Sequence, residues 1–188
     1  ISDGGSTDGT MSFRDRVLVI RSKKGRAIQM NEAIKYAKGD IFWFIHADVK
    51  ISNISRSELI SYSNEKHWGF FDVDIKDSHW AFRIIESSMN LRSRLTKIAT
   101  GDKGIFVTRE VFEKIGGYVP IEIMEDIAIS KKLKLYSPYI SSQRLQVSSR
   151  RWRENGILAT IFLMWFLRLA WFFKVSPSLL AKIYQKHD

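Results

Sequence analysis

Several carboxylates in this chain sit where an acid has no packing value. Asp48 closes the run Ile41-Phe42-Trp43-Phe44-Ile45-His46-Ala47-Asp48, whose apolar part reads as a strand buried on both faces. Asp3 lies in Ile1-Ser2-Asp3-Gly4-Gly5-Ser6-Thr7-Asp8-Gly9-Thr10, a stretch of glycines, acids and hydroxyls that reads as a loop leaving a strand end. Ligands of open α/β sheets bind outside the carboxyl ends of the strands. Asp3 and Asp48 are therefore expected to face one cleft, Asp3 accepting hydrogen bonds from a base or ribose. A polar surface turn accounts for the Asp3 loop equally well. Carboxylate oxygens suit Mg²⁺ or Mn²⁺, particularly with phosphate completing the shell. Asp48 is the candidate ligand, and His46, two residues back in an extended segment, points the same way. A packed structural histidine is the alternative for His46. The loop is not a Walker sequence, which needs GxxxxGK[ST], and its acids lack calcium-loop spacing.

Two further pairs carry chemistry. Glu125-Asp126 opens an expected helix over 124–136. Acids there favour the helix dipole by up to about 1 kcal/mol, or one of them serves as general base on an attacking hydroxyl. Arg151-Trp152 lies in a cluster of three arginines. Arginine grips a diphosphate and tryptophan stacks on a sugar or base; a basic helix start with a packed tryptophan explains the pair as well.

The positioning elements follow from pattern. Strands are expected at 16–20, 41–45, 67–75, 105–107 and 145–148, and helices at 25–38, 79–97, 109–115, 124–136 and from Pro177 to Gln185. A helix ending at Asn64 is capped by Ser55 or Ser57. Five residues between Thr10 and Arg16 are tight for a full crossover helix, so a shortened helix or missing residues are expected there. The alternation argues for an α/β fold with a mostly parallel central sheet flanked by helices and C-terminal apolar helices. Residues 1–150 are expected to form the catalytic domain and 151–188 its helical extension. The chain opens on what reads as the last turn of a strand, so an upstream strand and helix are expected to precede it.

These stretches resemble a known family. Asp3-Gly4-Gly5-Ser6-Thr7-Asp8-Gly9-Thr10, Gly25-Arg26-Ala27 with Gln29-Met30-Asn31, His46-Ala47-Asp48, Gly101-Asp102-Lys103-Gly104-Ile105-Phe106-Val107, Met124-Glu125-Asp126 and Ser149-Arg150-Arg151-Trp152 occur in that order. The chain is similar to inverting family-two glycosyltransferases of the nucleotide-diphospho-sugar (Rossmann-like) fold. Within them it is most similar to a bacterial subgroup associated with radical-SAM and selenodomain proteins. The resemblance implies a donor nucleotide-diphospho-sugar and a divalent metal, Mg²⁺ or Mn²⁺. It implies nucleotide contacts from Asp3, Gly25, Arg26 and Asn31, metal ligation by Asp48 with His46 beside it, and general-base catalysis by Asp126 with Glu125 adjacent. Asp102, Arg151 and Trp152 go to the acceptor or diphosphate. The chain departs from the family at the first DxD position, occupied by His46, and at Ser148, where a Gln or Arg stands in the family's [QR]xxRW pattern.

Composition narrows the alternatives. The absence of cysteine excludes disulfide frameworks and cysteine-based zinc sites, and is compatible with a reducing, cytoplasmic compartment. Formal net charge is +10, concentrated in 150–188, with seven Lys/Arg against two acids, and in 78–109, with six against two. Such excess suits phosphorylated substrates, an anionic membrane face or nucleic acid. A nucleic-acid module calls for exposed interleaved aromatics or a reader motif, and the aromatics here fall in apolar runs. A sugar nucleotidylyltransferase, the rival enzyme, calls for a glycine- and arginine-rich activation loop, which these residues do not show and an upstream segment would have to supply. The segment 157–173 is apolar apart from Thr160 and Arg168; at about 26 Å as a helix it falls short of a ~30 Å bilayer core. It is expected to pack on the catalytic domain, to join a homodimer, or to lie peripherally on the inner face of an anionic membrane.

Overall fold

The computed structural model describes residues 1–186 apart from 52, 53 and 55. Expected capping by Ser55 lies outside the described residues. The chain opens with β1 (Ser2–Asp3), paired in parallel with β2 (Ile20–Arg21). Between them the expected shortened helix is a 3₁₀ helix, Gly9–Asp15, capped by the Asp8 carboxylate on the Thr10 N–H. The strand expected at 16–20 is thereby corrected. Arg16 closes the 3₁₀ helix, Val17 and Leu18 stay exposed, and the run reaches the sheet only at Ile20.

Next come α1 (Arg26–Ile34), β3 (Ile41–Trp43), α2 (Arg56–Glu65), β4 (Trp68–Ile75), α3 (Trp80–Thr96), β5 (Phe106–Thr108), α4 (Arg109–Lys114), α5 (Glu125–Leu133) and β6 (Tyr139–Val147). They are followed by α6 (Arg150–Asn155), α7 (Ile157–Phe172) and α8 (Pro177–Gln185). The four-stranded sheet has the order β3-β5-β4-β6. β5 is antiparallel to both β3 and β4, whereas β4 and β6 are parallel. Three strands thus share one direction and β5 alone in this sheet is reversed, which makes the α/β sheet mostly parallel but mixed. β6 begins earlier than its apolar end suggests. Its polar residues Ser141, Gln143 and Arg144 hide the pattern, and pairing with β4 holds them in the strand.

Helices cover both faces. α1, α4 and α5 enclose the main core with Ala27, Phe42, Trp68, Phe70, Phe112 and Leu133. On the other face Phe71, Phe106 and Leu145 meet Leu59 and Tyr62 of α2. α7 and α8 dock on the start of α5 through Leu167, Ala170 and Leu180 against Ile123, Met124 and Ile127. The opposite side of α7 exposes Leu158, Phe162, Trp165, Phe166, Leu169 and Phe172. Among the described residues no helix is long and apolar enough to cross a membrane.

β4 explains the placement of α3. β5 pairs only with Trp68 and Gly69, so further along this edge of β4 has no strand neighbour. Buried backbone groups need partners. α3 supplies them one turn apart: Glu86 accepts from the Ile75 N–H, Asn90 both accepts from and donates to the Val73 backbone, and Arg94 donates to Asp72. Lys103, fully buried after the 3₁₀ turn Gly101–Lys103, donates to Asn90 Oδ1 at 2.6 Å. Burial pulls its ammonium down to about 8 from 10.5, against the opposing charges of Asp102 and Asp72.

A depressed lysine makes stability rise with pH from the folded to the unfolded value. Stability is therefore expected to climb between about pH 8 and 10.5. Lys103→Met, which leaves Asn90 Oδ1 satisfied by Val73, should flatten that climb and stabilise the fold by about 1–3 kcal/mol at pH 7. Asn90→Leu, which orphans both Val73 groups and Lys103, should cost about 3 kcal/mol or more. Urea melts at pH 7 and 9.5 check all three.

Candidate active site

The site forms where α5 begins. Met124 has φ +67°, the left-handed region that a side chain disfavours, at a cost of order 1–3 kcal/mol. Beyond this bend Glu125 turns inward and Asp126 lines a cavity of about 710 Å³. Glu125 is 1% exposed, with Oε1 2.9 Å from Arg26 Nε and Oε2 accepting from Arg26 Nη2 at 3.2 Å. Oε1 lies close to the guanidinium without hydrogen-bond geometry. Burial, then the charge of Asp126, pushes the Glu125 carboxyl up to about 7; Arg26 opposes the shift. Asp126 Oδ2 accepts from the Gly101 N–H at 3.0 Å and Oδ1 from the Ile127 N–H at 2.7 Å. The bond from Gly101 ties α5 to the Gly101–Lys103 turn.

That turn packs on the end of β3. A Cβ on Gly101 would stand 2.3 Å from the His46 ring, so only glycine allows the histidine to lie flat against the turn. Burial, followed by the Arg26 charge, lowers the His46 pKa, while Asp102, Asp48 and Asp126 pull the other way. His46, Asp48, Asp102 and Asp126 all line the cavity. Among the described residues no group of three or more His, Asp or Glu side chains is close enough to hold a metal. Mg²⁺ is commonly held by one or two carboxylates plus substrate phosphates. Asp48 fits that arrangement, and the His46 nitrogen is the poorer donor for so hard a cation.

The cations converge from other helices. Arg26, Arg92, Arg151 and Arg168 line the same cavity. Burial lowers the guanidinium pKa of both Arg92 and Arg168, and each is drawn up again by Asp102 and Asp126. Arg151 stacks on the Tyr184 ring at 4.0 Å and donates to its hydroxyl. Trp152 lines the cavity and packs against Ile75, Phe82 and Ile85. Sequence reasoning missed Arg92, Arg168 and Tyr184. Arg168 carried a visible signal, a lone arginine inside an apolar helix.

Three expected residues lie elsewhere. Asp3 is not among the residues that line the cavity with Asp48. β1 belongs to a two-stranded sheet with β2, and β3 to the four-stranded one. Asp3 is buried and accepts from the Ser6 and Gly5 N–H groups at 3.0 and 3.2 Å. Hydrogen bonds from Ser6, then Gly5, hold its carboxyl below the usual range. Gly25, at φ +136°, starts α1, and its N–H donates to Gln29. Asn31 holds both the C=O and the N–H of Tyr118, at 2.8 and 3.0 Å. Arg26, the neighbour of Gly25, does reach the cavity.

An acid whose folded pKa is raised contributes stability below its unfolded value and loses it as pH rises through the folded one. For Glu125 the window runs from about 4.5 to about 7. Wild type is expected to lose on the order of 2–4 kcal/mol across it from this group. Glu125→Gln should remove most of that loss, and paired melts at pH 4.5 and 7.5 measure it. Equal slopes in the two proteins would show that Glu125 is ionised throughout.

Residues 1–116 match the model for Glycosyl transferase family 2. No curated protein matches the chain significantly. Among solved structures it is similar to S. aureus TarS 1-349, with TM-score 0.60 and 17% identity over 80% of this chain and 50% of that one. It is also similar to the mannosyltransferase PcManGT from Pyrobaculum calidifontis, solved with GDP-Man and Mn²⁺, with TM-score 0.58 and 18% identity over 77% and 46%. The chain spans about half the length of these structures, and at such identities the likeness is one of fold. The family match covers Arg26, Asp48 and Asp102 but stops before Asp126 and Arg151, which the fold brings to the same cavity. The chain belongs to Glycosyl transferase family 2.

Proposed function

We propose that this protein transfers a sugar from a nucleotide-diphospho-sugar to an acceptor hydroxyl with inversion at the anomeric carbon. The observation that carries the reading is Asp126, anchored to Gly101 and facing a cavity ringed by Asp48, His46, Asp102 and four arginines. Family membership supplies the reaction class, and the motif order favours the subgroup associated with radical-SAM and selenodomain proteins. Asp126 takes the acceptor proton as the hydroxyl oxygen attacks the anomeric carbon from the face opposite the leaving diphosphate. Arg26, Arg92 and Arg168 oppose the charge that grows on that diphosphate, in a partly dry site where such interactions are strong. A divalent cation held by Asp48 and His46 would supply Lewis-acid stabilisation there. The nucleoside end is assigned to the Asp3 loop and the start of α1 at Gly25 and Arg26, with Asn31 positioning Tyr118. Asp102, Arg151 and Trp152 are assigned to the acceptor or diphosphate side.

Release of nucleoside diphosphate from a panel of nucleotide sugars, with water or an added alcohol as acceptor, tests the proposal. Asp126→Asn should leave donor binding nearly intact and lower turnover on the order of 10²–10⁴-fold. Asp48→Ala should weaken donor binding and abolish any response to Mn²⁺ or Mg²⁺. Normal turnover in Asp126→Asn with loss in Glu125→Gln would move the base by one residue. Normal turnover in both, or pyrophosphate as product, would overturn the mechanism.

A further inference from the structure

The cavity is not uniform along its length. α3 lines it with Ile85, Met89 and Arg92, and α7 with Ile161, Trp165 and Arg168. Arg92 feels the charge of Arg168, and both feel Asp102 and Asp126. At the other end Ile161 meets Ile85 and Met89 in one apolar cluster. The two helices therefore run side by side in the same direction, with their arginines at the carboxylate pole. From Arg92 back to Ile85 is two turns, about 11 Å. Along that distance the walls that α3 and α7 supply are apolar apart from Ser88 and Thr160, whose hydroxyl donates to the Gly156 C=O, while Ser148, Arg151 and Trp152 line the cavity from the start of α6 and the loop before it. Ile84 and Trp165 on this lining are both more than half exposed, so the apolar stretch reaches the surface. Phe162 and Phe166, next to Trp165 in α7, continue the exposed apolar surface.

A glycan or peptide lying between α3 and α7 would bury hydroxyls or amides without partners, which is costly. A hydrocarbon chain would lose only its contact with water. From this division we infer that the acceptor is an alcohol carried on a hydrocarbon chain, its reacting hydroxyl at Asp126 and its chain between α3 and α7. The inference rests on the glycosyl-transfer reading and names the acceptor class for the same site. Transfer forms the bond from the acceptor oxygen to the anomeric carbon and breaks that carbon's bond to the diphosphate. The hydroxyl proton goes to Asp126 and the nucleoside diphosphate leaves.

The probes are n-alkyl glucosides from butyl to dodecyl, each below its micelle concentration, titrated against the full chain by calorimetry. Affinity should rise about fourfold per added methylene and level off once the chain outgrows the apolar stretch. Met89→Asp, and Ile161→Trp as a change that keeps the wall apolar, should each abolish most of the chain-length dependence. Affinity independent of chain length, or a dependence undiminished in both variants, overturns the inference. Release of nucleoside diphosphate from the donor with water as acceptor is measured alongside. Release without chain-length dependence overturns the hydrocarbon acceptor and leaves glycosyl transfer standing. Chain-length dependence with neither donor binding nor release overturns the transfer and the acceptor assignment together.

Discussion

The ion pair between Arg26 and Glu125 joins the two ends of the site. A carboxylate at 1% exposure is expensive unless something offsets its lost hydration, and Arg26 from the first turn of α1 is what offsets it. The two residues are 99 positions apart. Their contact fixes where α5 starts relative to α1, and so where Asp126 stands. The left-handed Met124 stands immediately before the pair, which sends one acid into the protein and the other to the cavity. The elevated carboxyl of Glu125 shows that Arg26 only partly compensates for burial, so the arrangement is held by the surrounding core rather than by the pair alone.

That core includes the C-terminal helices. Leu167, Ala170 and Leu180 pack on Ile123, Met124 and Ile127, which are the residues that frame Glu125 and Asp126. α7 therefore both buttresses the bend before α5 and contributes Arg168 to the cavity. The basic excess of the C-terminal segment, read from composition as a surface property, is in part directed inward: Arg168 feels the charges of Asp126 and Asp102, and Arg151 lines the same cavity against Tyr184. The apolar segment around Arg168 has two roles on two sides, packing on α5 through one and presenting hydrophobic side chains to the outside through the other.

α3 shows a second way in which side chains stand in for secondary structure. β5 is too short to cover the edge of β4, and Glu86, Asn90 and Arg94 complete it from a helix. The arrangement places the acid Glu86 and the cation Lys103 in the interior. It also sets the azimuth of α3, so that Ile85, Met89 and Arg92 turn toward the cavity while the edge-covering residues turn toward β4. The apolar wall beside the carboxylates is thus a consequence of a short β5.

Much of this was legible in the residues. Helix starts marked by His79, Glu125 and Pro177, the buried β3 and β4 runs, and the α/β alternation are local signals, because capping, periodicity and turn chemistry act over a few residues. The carboxylates Asp48 and Asp126 could be singled out for the same reason, since acids placed after a buried strand or at a helix start stand out against a packing background. Tertiary structure decided what no local pattern encodes. It reversed β5, extended β6 through polar residues, and placed β1 and β3 in different sheets. It also brought Arg92 and Arg168, which lie 76 positions apart, to the pole where Asp126 and Asp102 stand. Those outcomes depend on which edges and faces remain unsatisfied once the local elements have formed. Burial and hydrogen bonding settle that over the whole molecule at once, and not within any stretch of the chain.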